Sequence, residues 1–136
     1  MKRNELGLSD RVEFIPFPDA EALVGLYQRA SVFALSSDEE GLGVVILEAM
    51  ACAIPVISTR SGGPDGIITE GQDGFLVDLE DAQALADRLT RLLADEALNR
   101  RMGQAARGTI LQRYETDVTG QAFLDIYEEL LSRYQR

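Results

Sequence analysis

Apolar residues recur along this chain in two rhythms. In "RVEFIPF" (11–17) they alternate roughly, with "SD" before and "PD" after, which predicts a short strand. "DAEALVGLYQRA" (19–30) carries apolar side chains at 22, 23, 26 and 27 behind Asp19, an N-cap residue type, and predicts a helix of about three turns. "SVFALSS" (31–37) is apolar on both faces, as in the covered strand of a parallel sheet. A helix is expected near 43–53, then a third strand in the β-branched "IPVISTR" (54–60) and a short fourth in "FLVD" (75–78). "SGGPDGIITEGQDG" (61–74) is turn chemistry with one short helical turn. Beyond it, three helical segments cover 80–95, 96–114 and 116–134.

Strands that alternate with helices imply right-handed crossovers and a parallel sheet. The expected fold class is therefore α/β, a Rossmann-like parallel sheet of about four strands with helices on both faces and a helical C-terminal extension. One domain is expected over 1–136, with an α/β core over 1–78 and the C-terminal helices over 79–136. In such sheets ligands bind beyond the carboxyl ends of the strands. Two glycine-bearing loops stand there, "SSDEEGLG" after the second strand and "SGGPDG" after the third.

Composition narrows the partners. The 136 residues carry 23 Asp and Glu against 13 Lys and Arg, a net charge of −10. That excludes non-specific nucleic-acid binding and docking on an anionic membrane, since both need a basic face. The polar N-terminus lacks the apolar stretch of a signal peptide, and no apolar run reaches the roughly 18–20 residues of a membrane span. A cytoplasmic location is expected. Cys52 is the single cysteine and there is no histidine, so neither an intrachain disulfide, a metal site nor a histidine base is expected.

One acid stands out against this background. From Leu42 to Ile57 the only charged side chain is Glu48, and an ionised Glu is rarely buried without a partner. Before it lie Asp38, Glu39 and Glu40, with Gly41 and Gly43 between. The glycines let backbone approach a ligand closely. Free amides of Leu42, Gly43, Val44 and Val45 at a helix start suit a diphosphate. Glu48, one to two turns in, accepts hydrogen bonds only and suits a vicinal diol such as that of ribose; Glu40 suits hydroxyls on the far side of the phosphates. Simpler uses remain open. The acids could be helix caps, Glu48 could be bridged by an arginine, and Cys52 could be a small core residue.

The stretch "EGLGVVILEAMACAIPVIST" resembles the signature of GT-B-fold retaining glycosyltransferases of the glycosyltransferase 4, or group 1, family. Those proteins carry E-G-F-G-x-x-x-x-E-A-M-A-x-G-x-P-V-I, and the spacing of Glu40 and Glu48, with seven residues between, is the same. The likeness extends over almost the whole chain, from "LGLSDRVEFIPF" to "FLDIYEELL". It implies an incomplete donor-binding domain that takes an NDP-sugar and needs no other cofactor. By the resemblance, Glu48 accepts from the nucleotide ribose, which would satisfy its charge when the donor is bound. Glu40 contacts hydroxyls of the donor sugar, with Gly41 and the amides of Leu42, Gly43, Val44 and Val45 near the sugar and diphosphate.

Departures from the family pattern shape the expectation. The Gly-Arg and Lys that hold the diphosphate in this family have no counterpart, Lys2 being the only lysine and out of register. Pro16 stands where Gly is usual, Ala53 replaces the Gly before "IPV", and Gly66 follows "GGP" where an acid is common. The acceptor domain has no counterpart either, so the chain alone is expected to be inactive and to need that domain or a companion chain. The family's missing strands belong between the first and second strands here. Their loss should join those two strands or expose an edge through which two copies pair. Two further readings stay open: a non-catalytic α/β dimerisation or interaction module, and a fragment of a GT-B nucleotide-sugar 2-epimerase.

Overall fold

The computed structural model describes residues 2–134. A short helix α1 (Lys2–Glu5) leads through an extended segment to α2 (Ala20–Arg29). Then follow β1 (Phe33–Leu35), α3 (Val44–Ala51), β2 (Val56–Thr59), α4 (Gly63–Ile67) and β3 (Gly74–Val77). Helices α5 (Ala82–Ala94), α6 (Glu96–Arg113) and α7 (Thr116–Tyr134) close the chain. The three strands form one parallel sheet in the order β1-β2-β3, with Phe33 beside Val56 and Ile57 beside Phe75.

The period-two alternation of β2 and β3 divides the core between the two faces. Val56 and Leu76 pack with Tyr27 of α2, Ile46 and Met50 of α3, and Ile67 of α4. Ile57, Phe75 and Val77 turn the other way, onto Leu92 of α5 and Leu98 and Met102 of α6. Both faces are covered, which is why these strands read as continuous apolar runs. Asp73 is buried before β3; it accepts from the Thr69 amide and the Thr109 hydroxyl, each at 2.7 Å, and so ties that turn to α6.

Two sequence expectations need correction. Residues 11–17 are no strand, and the sheet has three strands where about four were expected. A strand exists only where another strand pairs with it, and β1 pairs with β2 on one side and with nothing on the other among the described residues. Instead the 11–17 segment lies open, with Phe14, Ile15 and Phe17 exposed and Arg3 both stacked on the Phe14 ring and donating to the Val12 carbonyl. Of the two outcomes expected, an open edge at β1 is the one seen among the described residues. Helix α1 had no apolar rhythm to announce it. The ends of the 1–136 range, residues 1 and 135–136, lie outside the described residues.

The turn between α3 and β2 explains one departure in the sequence. Ala53 has φ 59°, in the left-handed region. Its amide donates to the Met50 carbonyl at 2.9 Å, and the Ile54 amide to the Ala49 carbonyl at 3.2 Å. This is a Schellman helix end, whose left-handed position suits glycine because a Cβ is strained there. Ala53→Gly is therefore expected to stabilise the chain by about 1 kcal/mol, the relieved strain outweighing the added freedom of the unfolded chain. Urea unfolding followed by circular dichroism should show a higher midpoint; an equal or lower one would count against the strain.

Candidate functional site

The two glycine-bearing loops meet beyond the carboxyl ends of β1 and β2. The Glu40 amide donates to the Ser61 carbonyl at 2.9 Å, and the Gly63 amide to the Glu40 carbonyl at 2.7 Å. A parallel bridge between Glu40 and Gly62 thus extends the β1–β2 pairing past the sheet, and the Thr59 hydroxyl adds a bond to the Ser37 carbonyl at 2.5 Å. This junction needs Gly63. A Cβ there would lie 2.7 Å from the Gly41 carbonyl oxygen and 2.8 Å from the backbone of Leu42.

Helix α3 starts at this junction. Gly43 is its N-cap, at φ 77°, and offers no side chain to the first amides. Glu40 Oε1 accepts from the Gly43 amide at 3.1 Å. One carboxylate oxygen therefore serves as a local cap, the simpler use of an acid at this place. The amides of Val44 and Val45 meet no acceptor among the described residues, as the first turn of any helix leaves them. Leu42 and Val44 are exposed, Gly43 is buried, and Asp38 and Glu39 face solvent.

Glu48 lies one turn further on. Although the run is nearly continuous in apolar residues, α3 buries Ile46, Ala49 and Met50 but turns Val44 and Glu48 outward. Among the described residues no arginine bridges Glu48. Its Oε2 accepts from the Tyr27 hydroxyl of α2 at 3.0 Å, while Oε1 has no protein donor among the described residues. Burial pushes the Tyr27 hydroxyl up to about 12, and the hydrogen bond to Glu48 and its charge add to the rise. The phenol therefore stays protonated, and a donor, at neutral pH. Between α2 and α3 the pair borders a cavity of about 300 Å³ with an apolar wall of Leu23, Val24, Ala51 and Cys52. Cys52 is partly buried and packs on the core beneath. Among the described residues no group of three or more His, Cys, Asp or Glu is placed to hold a metal ion.

The family model for glycosyl transferases group 1 matches residues 2–109. This chain belongs to the group 1 glycosyl transferase family. It is 40% identical over 126 residues to a D-inositol 3-phosphate glycosyltransferase of Corynebacterium urealyticum, a match covering 93% of this chain and 30% of that protein. Its fold is similar to part of the sucrose-phosphate synthase of Thermosynechococcus elongatus, with a TM-score of 0.88 and 33% identity over 97% of this chain and 33% of that one. A structure of Anabaena HepE in complex with UDP-glucose superposes with a TM-score of 0.85 and 26% identity, over 94% of this chain and 35% of that one. The chain thus spans about a third of the length of the relatives it matches.

In this chain of the group 1 family the residues expected at the donor site lie on one element and its approach. Glu40, Gly41, Leu42 and Gly43 form the loop, and Val44, Val45 and Glu48 lie on the first turns of α3. Sequence reasoning missed Tyr27. The signal available was weak, a phenol on the apolar stripe of α2, and a stripe tyrosine is satisfied as often by core packing as by a site. Among the described residues no helix is long and apolar enough to cross a membrane.

Proposed function

We propose that this chain forms the nucleotide-sugar donor half-site of a retaining glycosyltransferase that moves a hexose-like sugar. The observation that carries the reading is the start of α3, where the Val44 and Val45 amides, the second oxygen of Glu40 and Oε1 of Glu48 have no partner among the described residues. Two free amides at a positive helix end suit a diphosphate. Glu48 Oε1 accepts from the ribose diol, and Glu40 Oε2 from hydroxyls of the sugar, its other oxygen holding the loop. Gly41, Leu42 and Gly43 bring backbone close to the sugar and diphosphate. The UDP-glucose held by HepE supports this class of ligand. Residues 1–78 serve as the α/β core of one donor-binding domain and 79–136 as its helices. The acceptor is brought by a further domain or a companion chain, so the chain alone is expected to show no turnover. A cytoplasmic location belongs to the same proposal.

An NMR titration of the chain with UDP, GDP and ADP, with and without their sugars, tests it. Amide shifts confined to 40–48 and 62–66 for one base support the half-site and name the donor class. An absence of shifts at millimolar ligand overturns it for this chain.

A second reading, self-association through the sheet edge, is favoured by the side of β1 that is unpaired among the described residues. Sedimentation decides between them. A dimer indifferent to nucleotide supports the second reading, and a monomer that responds to nucleotide removes it.

A further inference from the structure

Tyr27 is the one buried residue of α2, at 6% exposure, yet its ring ends in a hydroxyl. A phenol in that position needs a partner. Two acceptors are within reach, both on α3: Glu48 Oε2 at 3.0 Å and the Val45 carbonyl at 3.4 Å. A hydroxyl has one proton, and the shorter bond to the charged oxygen takes it. The ring itself is held from the side by Phe33 of β1, tilted against it with centroids 5.8 Å apart. The hydroxyl is thus fixed by the core, while the carboxylate it reaches is not. Glu48 is exposed, and an unrestrained glutamate on an open helix face samples several rotamers.

We propose that Tyr27 is a positioning residue for donor recognition, holding Glu48 by Oε2 so that Oε1 is presented in one orientation to the ligand's vicinal hydroxyls. The inference rests on the reading of Glu48 as the ribose acceptor. It goes further in assigning discrimination between a diol and its absence to a residue of a different helix, one that touches no ligand. Tyr27→Phe removes a single oxygen and keeps the ring and its packing.

Two readouts on the full chain test it. The first needs no ligand: side-chain scalar couplings of Glu48 should report one rotamer in the wild type and an average in Tyr27→Phe. The second compares a nucleoside diphosphate with its 2′,3′-dideoxy form, using the base that the titration selects. Tyr27→Phe should weaken the ribose ligand by about fivefold to tenfold and leave the dideoxy ligand unchanged. In a Glu48→Ala background the same substitution should have no effect on either. A single Glu48 rotamer surviving in Tyr27→Phe would overturn the proposal. So would equal losses for both ligands, which would make Tyr27 a packing residue only. If the wild type binds ribose and dideoxy ligands alike, the ribose reading of Glu48 fails instead, and the rotamer measurement still decides whether Tyr27 holds the carboxylate.

Discussion

Gly103→Ala is expected to lower the unfolding free energy by about 3 kcal/mol, a large share of the 5–15 kcal/mol that holds a domain together. Gly103 is buried in the middle of α6, where that helix crosses the turn between α3 and β2. A Cβ added there would stand 2.1 Å from the Ala53 carbonyl oxygen, 3.0 Å from its carbon and 3.3 Å from Pro55 Cδ. No rotamer relieves a clash with backbone, so α6 must move away. Its neighbours on either side, Met102 and Ala106, belong to the two core clusters, and both would lose contacts. Arg107 would also lose its bond to the Ala51 carbonyl. Alanine's better helix propensity returns only about 1 kcal/mol. Gly108 supplies the control, since it lies in the same helix with nothing within 4 Å of its virtual Cβ. Gly108→Ala should stabilise by about 0.5–1 kcal/mol, the opposite sign for the same chemical change. Urea unfolding midpoints read both, and a Gly103→Ala chain as stable as the wild type would refute the close approach of α6.

Glu48→Ala is expected to weaken the nucleotide-sugar donor by about tenfold to a hundredfold, since each hydrogen bond to a charged group contributes about 1.5–3 kcal/mol and a decade is about 1.4 kcal/mol. The fold should barely notice. Glu48 is exposed, so no cavity forms, and alanine is the better helix former. Tyr27 loses its charged acceptor but keeps the Val45 carbonyl at 3.4 Å. Stability should therefore change by less than about 1 kcal/mol, which separates a binding defect from misfolding. Glu48→Gln should fall between, because its amide oxygen still accepts while the charge is gone. Calorimetric titration with the donor nucleotide is the check, and an unchanged affinity for Glu48→Ala would sink the ribose assignment.

The legible part of this protein is the part written in local periodicity. Asp19 caps α2 by accepting from the Ala22 amide at 2.8 Å, and Asp81 and Asp95 do the same for α5 and α6. Helices α3 and α5 to α7 begin and end within about two residues of where the apolar spacing places them, the uncertainty inherent in any helix boundary. The strand cores at 33–35, 56–59 and 74–77 follow from β-branched and aromatic runs flanked by turn residues. The resemblance to the family was visible for the same reason, because "EGLGVVILEAMACAIPVIST" is one contiguous segment.

What failed to show in the sequence depends on contacts far apart in the chain. "RVEFIPF" has the composition of a strand, but a strand is a relation between two segments, and among the described residues no partner stands on the open side of β1. The same limit hid the partner of Glu48, since Tyr27 lies 21 residues away on another helix. Gly103 and Gly63 look like ordinary glycines until α6 and the Glu40 loop are brought against them. The sequence by itself determined the helices after α1, the strand cores of β1 to β3 and the acids at the start of α3. Tertiary structure alone decided which carboxylate oxygens are left free and which phenol holds one of them. Hydrophobic period is set by neighbours in the chain, whereas hydrogen-bond partners are set by packing.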